Sequence, residues 1–359
     1  MEAALPVTAR KRPAPEEARR ADATKKKRAR YDYEFDDINE YEMLEEIGKG
    51  AFGVVAKARD RRTGETVAVK RIRGGLEADG DNDGAPVASL LPAVVREAGC
   101  LAACRGHPGI VQIKTVAAGG DDLYIVMELV PDAATLRSEL ATRGRPFSED
   151  ETRDVMRQLL GAVDKLRATG TIHRDINPDN ILVTADGELK LCGFGCVTPA
   201  RRVGCPEKPV GTLQYCAPEQ MFGLRRYGPK VDVWALGCVM AELLTGEPLF
   251  TGTTEDDMFT EVVDLRDDFI TMGVEAFDGT ALDPLSMAGR EVLASLLAFD
   301  LEDRLTAADA LKHRWFTEEE EEVEDVLERP FFAEEEEDPH AAMELKFPGF
   351  ESPFAAPAA

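Results

Sequence analysis

The sequence is short of the features that would place a chain in a membrane or outside the cell. No segment approaches the roughly 18 consecutive apolar residues that a membrane-spanning helix needs. The opening residues, MEAALPVTARKRPAP, lack the apolar core of a secretory signal. Cysteine is scarce and odd in number, seven in 359 residues, without a CxxC pair. We therefore expect reduced thiols in a cytosolic or nuclear protein that makes no contact with a membrane.

Charge is unevenly distributed along the chain. The net charge is −25, yet residues 1–30 carry ten Lys or Arg against four Asp or Glu. Residues 317–338 carry thirteen acidic residues against a single arginine. Because binding to nucleic acid rests on neutralising phosphates, an acidic body should repel it. We expect protein partners and no direct binding to nucleic acid.

The two charged ends are predicted to flank one folded region. Residues 1–40 form a basic, disordered head, in which Lys11-Arg12 and Lys25-Lys26-Lys27-Arg28 are spaced like a bipartite nuclear import signal. This spacing predicts a nuclear protein, with the cytoplasm as an additional location; a solvated run of basic charge is the plainer alternative. Residues 317–359 self-repel and lack apolar content, which predicts a disordered acidic tail.

Between the charged ends, strand patterns come first and helical patterns follow. From Tyr41, YEMLEEIGKGAFGVVAKARD and ETVAVKRIR predict two or three strands joined by tight turns. Later, ETRDVMRQLLGAVDKLRATG and VDVWALGCVMAELLTG predict helices that end at Gly170 and Gly246. Strands followed by helices indicate two lobes of different class.

Three glycines lie at the turn between the first two predicted strands. Gly48, Gly50 and Gly53 have the spacing G-x-G-x-x-G, where the missing side chains let backbone N–H groups approach phosphates. A dinucleotide-binding site is the rival interpretation, but it requires a helix after the glycines, and VVAKARD continues as a strand. The next strand ends on Lys70, and Glu97 in a helix-forming stretch is placed to hold its ammonium group.

Two further motifs follow in a fixed order. The chain reads His173-Arg174-Asp175-Ile176-Asn177-Pro178-Asp179-Asn180 and later Ala217-Pro218-Glu219. Together with the glycine-rich loop, VAVK and Glu97, this order resembles the eukaryotic protein kinase family over residues 41–316. The segments PAVVRE and DVWALGCVMAELLTGEPLF resemble the group of cyclin-dependent and MAP kinases. With the nuclear signal, they point to the plant F-type cyclin-dependent kinases.

The resemblance implies a fold and an activity. The fold is α+β and bilobal, with a small, mainly β N-lobe that carries one regulatory helix (residues 41–129) and a larger, mainly α C-lobe (residues 130–316). The activity is transfer of the γ-phosphate of ATP to serine or threonine hydroxyls of a protein substrate, with Mg²⁺ as cofactor. A cyclin or cyclin-like regulator is a candidate partner.

The resemblance also assigns roles to individual residues. Asp175 orients the substrate hydroxyl and accepts its proton, and Lys70, held by Glu97, positions the α and β phosphates. Asn180 is a Mg²⁺ ligand. The implied ATP-binding residues are Ile47, Gly48, Lys49, Gly50, Ala51, Phe52, Gly53, Val54, Val55, Ala68, Lys70, Glu128 and Val130.

Two positions depart from the family pattern. Gly193-Phe194-Gly195 stands where the family has Asp-Phe-Gly, so the aspartate that holds the metal is missing. Asn177 stands where serine/threonine kinases carry a lysine, and an amide cannot neutralise phosphate charge. We expect impaired turnover. A nuclear pseudokinase that acts as a binding scaffold is the second hypothesis, and the product of a decaying duplicate gene is a weaker third.

Regulation is expected to be altered as well. By the resemblance, Glu207 occupies the place of an activating threonine, where its carboxylate would pair with Arg174 and Arg96 in imitation of a phosphate. A solvent-facing glutamate in a long loop is the equal alternative. The neighbouring Thr212 is grouped with these regulatory residues, and Ala51-Phe52 replaces the usual inhibitory Thr-Tyr pair.

Overall fold

The computed structural model describes residues 35–72, 87–200, 210–223 and 227–317. The strands of the N-terminal sheet are β1 (Asp36–Asp37), β2 (Tyr41–Gly50), β3 (Gly53–Asp60), β4 (Thr66–Ile72), β5 (Ile113–Gly119) and β6 (Asp122–Glu128). They are ordered β1-β5-β6-β4-β3-β2. β1 runs parallel to β5, and all the other neighbours are antiparallel. The sheet thus begins at Asp36, whereas the strand pattern recognised in the sequence begins at Tyr41.

Helices dominate the second half of the chain. In the described residues they are α1 (Val87–Ala103), α2 (Leu136–Arg143), α3 (Glu149–Ala168), α4 (Pro218–Met221), α5 (Lys230–Thr245), α6 (Glu255–Met272), α7 (Met287–Leu296), α8 (Ala307–Ala310) and α9 (Arg314–Thr317). Only α1 belongs to the first lobe, where it packs against β4, β5 and β6. The α+β, two-lobed architecture expected from the sequence is confirmed.

The two helices predicted from periodicity form for identifiable local reasons. α3 begins at a capping box in which Ser148 and Glu151 satisfy each other's backbone N–H groups. It stops just before Gly170, whose φ of +69° is left-handed. α5 is buried at every residue from 231 to 243, which explains why this stretch is apolar apart from Asp232 and Glu242. It ends at Gly246, with φ +83°.

Two small sheets fix the loops that carry the motifs of residues 173–180 and 193–195. β7 (Ala134–Thr135), β9 (Ile181–Val183) and β10 (Leu189–Leu191) form one sheet, in the order β10-β9-β7. β8 (Thr171–Ile172) and β11 (Thr198–Pro199) form the other. The loop of residues 173–180, called the catalytic loop below, therefore leaves β8 and enters β9. Residues 192–196, called the glycine segment below, leave β10 and lead to β11.

The hydrophobic core is divided between the lobes. A small cluster of buried residues lies within the N-terminal sheet, and a much larger one joins α1 to the helices of the second lobe. Because α1 shares the larger cluster, its position is coupled to the second lobe as well as to its own sheet. None of the helices in the described ranges is long and apolar enough to cross a membrane.

Candidate functional site

A buried ion pair joins α1 to the N-terminal sheet. Lys70 Nζ on β4 lies 2.6 Å from Glu97 Oε1 on α1, and their side chains are 9% and 7% exposed. Removing two charges from water is costly, so such a pair is maintained only with close geometry. The lysine and glutamate that the sequence brings together are therefore in contact, and α1 is held against the sheet.

The glycine-rich loop is a β-hairpin between β2 and β3. Gly53 has φ +148°, and a Cβ on it would lie 2.1 Å from the carbonyl oxygen of Arg71. No other residue fits there, and this close approach brings the loop beside β4. Val54 and Val55 continue into β3, where Val55 lies opposite Lys70. Of the predicted nucleotide-binding residues in the hairpin, Ile47, Lys49, Gly50 and Ala51 are exposed.

Next to the hairpin in the sheet lie β4 and then β6. Ala68 is buried and lies opposite Met127 in the β4–β6 register. Glu128 ends β6, and its carboxylate accepts a hydrogen bond of 2.9 Å from Lys190 of the second lobe. Since that side chain joins the lobes, nucleotide binding at Glu128 and Val130 is left to backbone groups.

Asp175 is held by four hydrogen bonds within the protein. Its Oδ1 accepts from Thr212 N at 2.9 Å, from Thr212 Oγ1 at 2.8 Å and from Asn177 Nδ2 at 3.0 Å. Among the described residues, its Oδ2 accepts one bond, from Asn180 Nδ2 at 2.9 Å. Burial raises the pKa of Asp175, although these bonds act in the opposite direction. The carboxylate is thus fixed in orientation and is more basic than an ordinary aspartate.

Asn177 is a buried bridge rather than a group that faces solvent. It is 2% exposed. Its Nδ2 donates to Asp175 and, at 3.0 Å, to Thr212 Oγ1, while its Oδ1 accepts from Asp179 N at 2.9 Å. The side chain therefore stabilises the catalytic loop, and it has no positive charge to offer a phosphate.

Thr212 was expected among the regulatory residues, and the structure places it directly on the carboxylate of Asp175. The preceding Gly211 has φ +104°, and a Cβ there would lie 2.2 Å from the carbonyl oxygen of Arg174. This glycine allows the segment to approach the catalytic loop closely enough for both Thr212 bonds to Asp175. Because Thr212 lies close in sequence to Glu207, the sequence analysis grouped it with the regulatory residues and did not predict its contact with Asp175.

The catalytic loop is braced from below by α5. The carboxylate of Asp232 accepts the backbone N–H groups of His173 and Arg174, each at 2.8 Å. The ring of His173 accepts from Asp175 N through Nδ1, at 3.3 Å, and its Nε2 lies 2.9 Å from the carbonyl oxygen of Cys192. These contacts require a neutral ring that is protonated on Nε2, and burial lowers its pKa to about 4.

Comparison with known proteins agrees with this geometry. A family model described as "Protein kinase domain" matches residues 41–316. The candidate cyclin-dependent kinase F-2 of Oryza sativa subsp. japonica is 42% identical over 317 residues, which cover 78% of this chain and 91% of that protein. Cyclin-dependent kinase G1 of Arabidopsis thaliana is 38% identical over 313 residues. Cyclin-dependent kinase 11.1 of Caenorhabditis elegans is 33% identical over 311 residues.

This chain belongs to the protein kinase family. The predicted resemblance to plant cyclin-dependent kinases is confirmed, and by family it is a serine/threonine kinase of that type. The matched region covers 78% and 79% of this chain but only 49% of the Arabidopsis protein and 42% of the Caenorhabditis protein.

Protein kinases use ATP with Mg²⁺, and the metal position departs from that pattern here. Gly193 has φ +77° and ψ +39°, and it offers no side-chain ligand. A Cβ on it would lie 2.2 Å from Asn180 Oδ1 and 2.3 Å from Asn180 Cγ, so the asparagine fills the space beside the glycine. One neutral amide oxygen turned toward Gly193 is a poor donor set for Mg²⁺, which prefers carboxylates. The residues present do not fit a metal ion held by the protein.

The predicted regulatory contacts are described only in part. Arg174 donates through Nε to the carbonyl oxygen of Cys196 at 2.7 Å and through Nη1 to the Tyr227 hydroxyl at 3.2 Å. Arg96 is half-buried on α1. Glu207 lies outside the described residues, so its predicted pairing with Arg174 and Arg96 stays a prediction.

One cluster beside the catalytic loop was missed by the sequence reasoning. Arg137 of α2 bonds to the buried carboxylate of Glu242, to the Tyr215 hydroxyl at 2.6 Å and to Asp179 at 3.4 Å. Tyr215 in turn donates to Glu242 at 2.5 Å. This cluster of four side chains links α2, α5, the catalytic loop and the segment after Thr212. The pairing of residues 137 and 242 is invisible to local patterns because they are far apart in sequence.

Proposed function

We propose that this protein is a nuclear, ATP-dependent serine/threonine kinase of the cyclin-dependent type with strongly impaired turnover. The observation that carries the proposal is the arrangement around Asp175. Its carboxylate is fixed by Thr212, Asn177 and Asn180, and the Lys70–Glu97 pair is formed at the same time. Both features are ones that phosphoryl transfer by a protein kinase requires.

The hydrogen bonds suggest which oxygen of Asp175 meets the substrate. Oδ1 already accepts three bonds, whereas Oδ2 accepts one, from Asn180. A carboxylate oxygen has about two acceptor sites. The hydroxyl of a protein substrate would therefore approach Oδ2, which orients it and accepts its proton. Lys70, supported by Glu97, would bind the α and β phosphates of ATP.

Turnover should be impaired for two reasons that act on the same phosphate. Gly193 supplies no carboxylate for Mg²⁺, and Asn177 supplies no charge. Loss of one such electrostatic group typically costs on the order of 10²–10³ in rate. The two losses need not be additive.

A pseudokinase scaffold is the second candidate function. The packing of Asn180 into the space beside Gly193 favours it, because the side chain that should bind metal is held against backbone and Asp175 instead. In either case, we expect a protein partner, a cyclin or cyclin-like regulator, on α1. The side chain of Val95, which is 46% exposed, is available there.

Phosphate transfer to a generic basic protein substrate tests the main proposal. The purified protein, Asp175→Asn and Gly193→Asp are compared with ATP and Mg²⁺, and then with Mn²⁺. Activity above Asp175→Asn supports a slow kinase. Activity that is absent from the parent and gained by Gly193→Asp supports a pseudokinase scaffold that lacks activity because of residue 193 alone. Activity in none of the three overturns the kinase proposal for the isolated chain.

Nuclear location is tested separately with a fluorescent fusion. The basic clusters of residues 11–12 and 25–28 motivate it. Replacing Lys25, Lys26, Lys27 and Arg28 with alanine should redistribute the fusion to the cytoplasm. A parent fusion that is excluded from the nucleus would overturn the proposal.

A further inference from the structure

A small cavity lies against the catalytic loop, where that loop meets α4 and α5. The centre of a water molecule can occupy about 10 Å³ of it, which is room for one water molecule. Its polar lining residues include Thr212, Tyr215 and Asp232, and Ala235 of α5 is among the apolar ones. Cavities lined by apolar groups alone stay dry, whereas one with several polar groups is suited to hold water.

Gln220 of α4 lines this cavity and carries an unpaired donor. Its side chain belongs to a residue that is 4% exposed, and its Nε2 has no hydrogen-bond partner among the residues that the structure describes. Its Oε1 accepts from the backbone N–H of Ala217 at 3.1 Å. That bond fixes the orientation of the amide, because a flipped amide would place one N–H group against another. A buried donor left without a partner is costly, and buried water is what usually satisfies one.

Asp232 lines the same cavity and offers the matching acceptor. It is 1% exposed, and its two carboxylate oxygens each accept one backbone N–H group, from His173 and from Arg174. An ionised carboxylate has about four acceptor positions, so about two are left over by these contacts. A water molecule between the two side chains can accept from the amide of Gln220 and donate to the carboxylate of Asp232, which satisfies both.

We propose that this cavity binds one water molecule, which accepts a hydrogen bond from Gln220 and donates one to Asp232. Through that water, Gln220 is a positioning residue for the catalytic loop. It connects α4 to the carboxylate that holds the backbone of His173 and Arg174. The site is built from side chains of the folded chain and does not depend on phosphate transfer, so it goes beyond the proposed function.

Two substitutions remove the water by different routes. Gln220→Met deletes the donor and keeps a side chain of similar length. Ala235→Val keeps the donor and adds two methyl groups to a residue that lines the cavity. Gln158→Met is the matched control. Gln158 also accepts a backbone N–H group through Oε1, that of Leu189, but its Nε2 has a protein partner, the carbonyl oxygen of Gly187.

The first measurement is the number of long-lived buried water molecules in the full-length protein, by oxygen-17 magnetic relaxation dispersion of the solvent. We expect Gln220→Met and Ala235→Val each to hold one fewer such water than the parent, and Gln158→Met to hold the same number. An unchanged number in both Gln220→Met and Ala235→Val would show that the cavity is dry, which overturns the proposal.

The second measurement tests the positioning role, through hydrogen exchange of the backbone amides of His173 and Arg174. Gln220→Met should speed their exchange about fivefold, which is the effect of losing one ordinary hydrogen bond. The amide of Phe147, which donates to the carbonyl oxygen of Leu243 on α5, reports the stability of the surrounding fold and should change less. Equal acceleration of all three amides, or no acceleration of any, would overturn the positioning role even where the water itself is found.

Discussion

The catalytic loop and the glycine segment lie side by side, but they differ in how many buried polar contacts hold their residues in place. The first is held by buried polar contacts: Asp232 binds two of its backbone N–H groups, and Asp175 accepts four hydrogen bonds. In the second, the residue that should bind metal is a glycine with a left-handed φ of +77°, covered by Asn180. Under the proposed function, the loop that would handle the proton is well braced, and the segment where protein kinases hold a metal ion offers no side-chain ligand at Gly193.

The difference shows which site residues are also structural. Loss of Asp232 or His173 would leave buried donors or acceptors unpaired, which destabilises the fold. A metal ligand has no such second role in the folded chain, and glycine suits a left-handed backbone without strain. The glycine segment can therefore lose its chemistry while the fold persists.

The buried ion pair beneath the segment that follows Thr212 should give the largest effect. Arg304 binds Glu219 through two bonds of 2.7 and 3.1 Å, and the two residues are 1% and 4% exposed. Arg304→Met leaves the carboxylate buried and unpaired, so we expect a loss of about 3–5 kcal/mol in the free energy of unfolding, measured in urea. Arg314→Met, which breaks an exposed pair with Glu291, should cost less than about 1 kcal/mol. Equal losses of stability in Arg304→Met and Arg314→Met would contradict the expected difference between a buried and an exposed ion pair.

Acid should weaken the catalytic loop through His173. Because burial lowers its pKa to about 4 from 6.5, the unfolded chain takes up the proton first. The contribution of His173 to stability is complete above pH 6.5 and is lost as the pH falls from 6.5 to 4, by up to about 3 kcal/mol.

Asp232 acts in the opposite direction, because burial raises its pKa to about 6. The measurement is therefore the difference in the free energy of unfolding between the parent and His173→Gln, followed from pH 7.5 to 4. A difference that does not change over this range would show that the ring takes up its proton as readily in the folded protein as in the unfolded chain, against the hydrogen bonds of its Nδ1 and Nε2.

Much of the scaffold could be predicted from the sequence, whereas the packing that alters the site could not. The lysine–glutamate pair and the order of the loops follow from motifs, and α3 and α5 follow from apolar periodicity and terminal glycines. The absence of a side-chain ligand at Gly193 also follows from the sequence alone. Two contacts depend on side-chain packing between segments that are distant in sequence: Asn180 fills the space beside Gly193, and Phe52 lies against Gly195. No local pattern encodes it.

Removing the Thr212 hydroxyl should perturb Asp175 without disturbing the fold much. Thr212→Val deletes a donor to Asp175 and the acceptor of Asn177, so we expect a loss of about 1–2 kcal/mol in stability. The pKa of Asp175, already raised by burial, should rise further, since a bond to its charged form is lost. NMR titration of the carboxyl group measures the shift. Thr212→Ser keeps the hydroxyl and should behave like the parent; if it does not, the methyl group and not the hydrogen bond is responsible.

Restoring the missing carboxylate should affect stability far less than Arg304→Met does. Gly193→Asp places a side chain in the left-handed region, which costs about 1–2 kcal/mol, and it must turn Asn180 away from its contact with Gly193. Because that obstacle is the end of a flexible side chain, Asn180→Ala together with Gly193→Asp should be less destabilised than the sum of the two single variants. Strict additivity would mean that Asn180 does not fill the space beside Gly193. A loss from Gly193→Asp as large as that from Arg304→Met would show that the glycine segment is as structurally committed as the catalytic loop, and the contrast between the two would fail.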